Sequence, residues 1–136
     1  MNTPTTETLS VIVEREFSFP PEKLWRALTQ PHLIEEWLMK SDFSPAVDHR
    51  FSFRADWGSV DCQVMAIEPG KTLSYTWVAH GLDSVVTWTL TPTGTGTLLR
   101  MEQAGFRPDQ KQAFHGARFG WQKFLASLDQ ALARID

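Results

Sequence analysis

The sequence predicts an α+β fold in which an antiparallel meander of about six to seven strands packs against one long C-terminal helix. Three observations carry that reading. The hydrophobic period is two from Phe43 to Ala104, with turn signals between the apolar runs. It changes to helical spacing from Gln110 to Ile135, and two short proline-bounded helical stretches separate the first strand from the meander.

Leu9, Val11 and Val13 alternate with Ser10 and Glu14, as a half-buried strand running to Phe17 should. The polar, threonine-rich residues 1–8 before it read as a flexible tail, and 9–136 as a single domain. Pro20 and Pro21 stop the strand, and Pro21 suits the first turn of a helix bearing Leu24, Trp25 and Leu28. Pro31 breaks that helix, and Leu33, Ile34, Trp37 and Leu38 form the apolar face of a second, with Glu35 and Glu36 outward. Trp25 and Trp37 are expected on the inward faces. In the meander, Phe51, Phe53, Ala55 and Trp57 share one phase, as do Val60, Cys62, Val64 and Ala66. Pro69, Gly70 and Lys71 then turn the chain into Leu73, Tyr75 and Trp77, and Val86, Trp88 and Leu90 follow. The reversal from Pro92 to Gly96 leads into Leu99 and Met101.

The last segment places Phe114, Ala117, Trp121, Leu125, Leu128 and Leu132 on one helical stripe. Such a helix measures roughly 39 Å against roughly 26 Å for an eight-residue strand, so it must run along or across the whole sheet. Burying the stripe contributes about 9 to 18 kcal/mol gross, an upper bound that makes this helix the second half of the core.

Composition excludes several function classes. Thirteen basic against sixteen acidic residues give a net charge of −3, leaving no electrostatic footprint for nucleic acid or an anionic membrane. No stretch is long and apolar enough to span a membrane, and the polar start has no signal-peptide pattern. With a lone Cys62, which reads as a small buried hydrophobe, a cytoplasmic location is expected. His32, His49, His80 and His115 are too scattered for a metal site, and no glycine-rich phosphate loop occurs, so no cofactor is expected. Six Trp and nine Phe against one Tyr supply large rings without hydroxyls, suited to a bulky core or to the wall of an apolar cavity.

The segment REFSFPPEKLWRALTQPHLIEEWL, Arg15 to Leu38, resembles the C-terminal-type domain of the activator of the heat-shock-protein-90 ATPase, a branch of the START and birch-pollen-allergen-like helix-grip superfamily. Further matches are Ala66-Ile67-Glu68-Pro69, the strand from Val86 to Leu90, Gly96-Thr97-Leu98-Leu99, Gly105-Phe106 and Gly120-Trp121. The resemblance implies a helix-grip fold, a curved antiparallel sheet gripping the last helix with a cavity between them. The paired glycines that commonly open the third strand in the family are replaced here by Asp48-His49-Arg50.

Within that frame Trp37, Phe51, Phe53, Trp77, Trp88, Met101, Phe114, Arg118 and Trp121 are the candidate ligand-binding residues, for a small apolar or amphipathic molecule. On a helical wheel Gly120 lies about 100° and Gly116 about 140° from Trp121, where they would let a ligand or a packed element approach the backbone. Arg118 at about 60° and His115 at about 120° would edge the cavity or lie on the surface. Phe119, at about 160°, falls on the outward side and is a candidate contact for self-association or a partner. No catalytic constellation is present. An enzymatic alternative, a cyclase or hydrolase of aromatic substrates, would need His115, Arg118 or Asp56 for acid–base chemistry. A chaperone accessory or stress-response role follows from the family name alone, and a monomer or weak homodimer is expected.

Overall fold

The computed structural model describes residues 8–135, so the expected tail, apart from Thr8, lies outside the described residues. The elements run β1 (Leu9–Phe17), α1 (Pro21–Thr29), α2 (Pro31–Trp37), β2 (Lys40–Ser41), β3 (Arg50–Ala55), β4 (Gly58–Glu68), β5 (Thr72–Ala79), β6 (Leu82–Pro92), β7 (Thr97–Phe106) and α3 (Lys111–Arg134). The seven strands form one antiparallel sheet in the order β1-β7-β6-β5-β4-β3-β2. Strands β2 to β7 make the meander, whereas β1 lies beside β7 at the far edge. The chain must therefore cross six strand spacings, roughly 29 Å, between β1 and β2, and α1 and α2 make that crossing. In doing so they cover part of the sheet face on which α3 also lies.

Trp121, Leu125, Leu128 and Leu132 of α3 are buried, with Phe114 and Ala117 half-buried at its N-terminal end. The helix packs on β1, β7, α1 and α2. An exposed ion pair, Arg15 to Asp129 at 3.3 Å, also links β1 to α3; its partners are too solvated for it to add more than about 1 kcal/mol.

Four local features depart from simple alternation. Ala55 pairs with Gly58, so the β3–β4 hairpin closes at Asp56 and Trp57 before the inward phase reaches the indole. Trp57 is 56% exposed in that turn, not buried. In β4, Val64 pairs with Tyr75 but Ala66 with Ser74, so Met65 is an extra residue and the phase flips. Ala66 is consequently exposed, and Ile67 packs against the core in its place. In α1 the buried face is formed by Leu24, Ala27 and Leu28; Trp25 sits at its margin and is half-buried. Asp48 adopts φ 72°, a left-handed backbone conformation that aspartate tolerates better than most residues.

Close approach explains another glycine. A Cβ on Gly96 would strike the backbone carbonyl of Phe17, because the β6–β7 turn is tucked against the end of β1. Next to it the buried Thr97 hydroxyl donates to the Phe19 carbonyl at 2.8 Å.

Candidate ligand-binding cleft

The rings of the core form a connected array on the inward face of the sheet. Phe51, Phe53 and Tyr75 pack mutually, and Phe53 leads to Trp77 with centroids 5.3 Å apart. Trp77 meets Trp121 at 5.1 Å, Trp121 meets Trp88 edge-on at 5.5 Å, and Trp88 meets Trp37 edge-on at 5.7 Å. Alternation along β3, β5 and β6 supplies one half of this array and the stripe of α3 and the end of α2 supply the other.

At the N-terminal half of α3 the packing is incomplete. A cleft of about 190 Å³ is lined by Trp77, Leu82, Gln103, Gly116, Ala117, Gly120, Trp121 and Phe124. Trp121 and Phe124 stand at 61° with centroids 5.6 Å apart, so three rings surround one opening. A Cβ built on Gly116 or Gly120 would meet nothing within 4 Å. These glycines therefore do not serve close packing against another element; they leave the helix side of the cleft open.

Beneath the rings lies a closed polar chain. The Trp121 indole N–H donates to Gln103 Oε1 at 2.7 Å, Gln103 Nε2 donates to Ser84 Oγ at 3.0 Å, and that hydroxyl donates to the Trp77 carbonyl at 2.8 Å. Gln103, buried to 1%, continues the phase of Leu99 and Met101; its place in that alternation was the available signal for an inward polar group. Two further core indoles also donate, Trp88 to the Tyr75 hydroxyl and Trp37 to the Ala27 carbonyl.

The sequence candidates separate in space. Trp77 and Trp121 line the cleft. Trp37, Trp88, Met101 and Phe53 are buried in the core around it, and Phe114 is half-buried against Phe106. Phe51 is buried near the other end of the array, beneath Phe43. Arg118 and His115 are exposed and are not among the lining residues. The wheel gives the reason: the cleft opens on the glycine side of Trp121, and Arg118 and His115 lie on the opposite side. Leu82, Gln103, Ala117 and Phe124 are lining residues that the candidate set lacked.

Among the described residues no titratable group lines the cleft. Burial pushes the Tyr75 hydroxyl and the Cys62 thiol far up from their ordinary values, and the Ser52 amide holds the Asp42 carboxyl down, but none of the three borders the cleft. A larger hollow of about 440 Å³ lies against Arg50, Phe51, Asp61, Cys62, Gln63, Thr76 and Val78, so the candidate Phe51 borders this hollow and not the cleft. Its lining includes Arg50 and Asp61 and a single ring, whereas the smaller cleft has three rings and no charged group, so the smaller cleft suits an apolar ligand better. Among the described residues no group of three or more His, Cys, Asp or Glu is placed to hold a metal, and no helix is long and apolar enough to cross a membrane.

An open antiparallel sheet whose inner face holds a long C-terminal helix, with two short helices after the first strand, defines the helix-grip class. Residues 18–133 match the family described as Activator of Hsp90 ATPase homolog 1-like protein, and the chain belongs to that family. Among solved structures it is similar to protein MLL2253 from Mesorhizobium loti, at 65% identity and TM-score 0.90 over 94% of this chain and 99% of that one. It is also similar to CalU16 from Micromonospora echinospora, at 26% identity and TM-score 0.82 over 96% of this chain and 80% of that one. DynU16, a protein of the dynemicin biosynthetic locus, shares the fold at 23% identity and TM-score 0.83, over 91% of this chain and 47% of that one. Among curated proteins none matches the chain.

Proposed function

We propose that the protein binds a small, flat, largely apolar molecule in the cleft between β5–β7 and the N-terminal half of α3. The observation that carries this reading is the pair Gly116 and Gly120, open above the rings of Trp77, Trp121 and Phe124. Each glycine within a helix costs about 1 kcal/mol relative to alanine, and no neighbour requires the missing side chain. An unfilled helix face over an aromatic floor is what a ring-binding site needs. An apolar cavity of about 150 Å³ takes benzene, so about 190 Å³ suits a molecule of one or two fused rings.

Binding without turnover fits the lining. Gln103 accepts from Trp121 and donates to Ser84, holding the walls together, and among the described residues no carboxylate, imidazole, thiol or ammonium lines the cleft for proton transfer or attack. The residues that a cyclase or hydrolase mechanism would call on, His115, Arg118 and Asp56, are all exposed. The buried, protonated Cys62 suits a reducing compartment such as the cytoplasm.

The test is titration of the protein with 2-naphthamide, a neutral two-ring probe, followed by calorimetry. Saturable binding is expected, weakened at least tenfold in Gly120→Leu while the melting temperature holds or rises. No binding by the folded wild-type protein, or undiminished binding by Gly120→Leu, overturns the reading.

A further inference from the structure

Resting on the cleft reading above, we infer that its ligand carries a neutral carbonyl oxygen, and that the indole N–H of Trp77 donates a hydrogen bond to it. The ligand class is then an aryl ketone, quinone, aldehyde or amide, in place of a bare hydrocarbon ring or an acid.

The indoles of the ring array differ in one respect. A buried Trp N–H ordinarily finds an acceptor, because an unmade hydrogen bond in a dry site leaves its desolvation uncompensated. Trp37 donates to the Ala27 carbonyl, Trp88 to the Tyr75 hydroxyl and Trp121 to Gln103 Oε1. Trp77 has ring neighbours, Phe53 and Trp121, but among the described residues its Nε1 has no acceptor. The nitrogen is not sealed inside the core either: Trp77 is 9% exposed, and its Nε1 keeps some accessible surface. Trp77 lines the cleft and borders none of the hollows of about 440, 280, 220 and 200 Å³ elsewhere on the protein, so the surface it keeps belongs to the cleft.

The donor is held in place before any ligand arrives. The Trp77 carbonyl accepts from the Ser84 hydroxyl at 2.8 Å, at the end of the chain that begins at Trp121, and the ring itself is wedged between Phe53 and Trp121. Such preorganisation leaves little to be ordered on binding. The lining also selects the acceptor. Among the described residues it contains no cation, so a carboxylate would enter without a counter-charge. A phenol would bring an O–H needing its own acceptor, and Gln103 Oε1 already takes the Trp121 N–H. A neutral carbonyl accepts the Trp77 N–H and brings neither a charge nor a proton.

Two probes of nearly the same shape separate this inference from the reading beneath it: 2-acetylnaphthalene and 2-isopropenylnaphthalene, in which a methylene replaces the carbonyl oxygen. The readout is the ratio of their affinities, which cancels any general loss from an altered wall. In Trp77→Phe, which keeps a ring and removes the N–H, the ratio should shift toward the alkene by about three- to tenfold, the size of one hydrogen bond. In the wild-type protein the infrared carbonyl stretch of bound 2-acetylnaphthalene should lie below its position in hexane, and it should return to that position in Trp77→Phe. If both probes bind but the ratio is the same in Trp77→Phe, or the wild-type stretch sits at its hexane position, or the lowered stretch survives in the variant, the carbonyl inference is overturned and the cleft reading stands. Should Trp77→Phe fail to fold, the wild-type stretch decides. If neither probe binds the folded wild-type protein, both readings fall.

Discussion

The Trp121 indole N–H donates to Gln103 Oε1 at 2.7 Å, joining the middle of α3 to β7 at the base of the cleft. Through Ser84 the same chain reaches the Trp77 carbonyl on β5, so one set of three hydrogen bonds fixes the two tryptophans that face each other across 5.1 Å. In a buried, low-dielectric setting each member depends on the others being present.

Gln103→Leu removes an acceptor and a donor while keeping the volume apolar, and it leaves the Trp121 N–H and the Ser84 hydroxyl short of a partner. A loss of about 1–3 kcal/mol in urea denaturation is expected. Trp121→Phe in the same background should cost less than it does alone, because the N–H it deletes has already lost its acceptor. Additive losses would mean that the bond does not couple the helix to the sheet.

The two short helices make a contrast that truncation can measure. Trp37 is 4% exposed, donates to the Ala27 carbonyl at 2.9 Å and stacks edge-on with Trp88, so Trp37→Ala should cost about 3–5 kcal/mol. Trp25, at the margin of α1's buried face, should cost clearly less. Equal losses in denaturant titrations would place Trp25 in the core after all.

Much of this arrangement is written in local periodicity. The strands from Phe51 to Met101 and the stripe from Phe114 to Leu132 repeat with the period of their elements, and each buries the phase it should. What periodicity misses is set by pairing. The extra residue at Met65 is visible only against β5, and the early closure of the β3–β4 hairpin puts Trp57 outside although its phase points in. The side of α3 on which the cleft opens is equally non-local. The wheel places Gly116 and Arg118 on opposite sides of Trp121, but which side meets a wall depends on where the sheet ends against the helix. Hence Arg118 entered the candidate set and Phe124, at the same angle on the other side of Trp121, did not.

Stability should fall at alkaline pH through two buried groups. Burial raises the Cys62 thiol and the Tyr75 hydroxyl, and the bond from Trp88 offsets the Tyr75 shift only in part. A raised folded-state value means the folded protein keeps its proton where the unfolded chain releases it. Stability is therefore fully present below the unfolded-state values, about 8.5 for the thiol and about 10 for the phenol, and falls above them. The expected slope is about 1.4 kcal/mol per pH unit above the first value and about twice that above the second. Cys62→Ala should remove the first component, and an unchanged profile in that variant would assign the loss to other groups.

The glycines of α3 and those of the sheet should respond to alanine in opposite ways. A Cβ on Gly96 meets the Phe17 carbonyl, and one on Gly105, at φ 120°, lies 2.7 Å from the Asp83 carbonyl oxygen, so both alanine variants should be destabilised. At Gly116 and Gly120 the same Cβ meets nothing within 4 Å, and the backbone is already helical. Each substitution there should raise stability by about 0.5–1 kcal/mol, the propensity difference unopposed by any clash. The double variant should also bind 2-naphthamide more weakly than the wild type, because the two methyl groups enter the face on which the ring would lie. A gain in stability together with a loss of affinity is the signature of glycines kept for an opening. Stabilised variants that bind unchanged would show that the ring enters elsewhere, and destabilised ones would show that something already occupies that face.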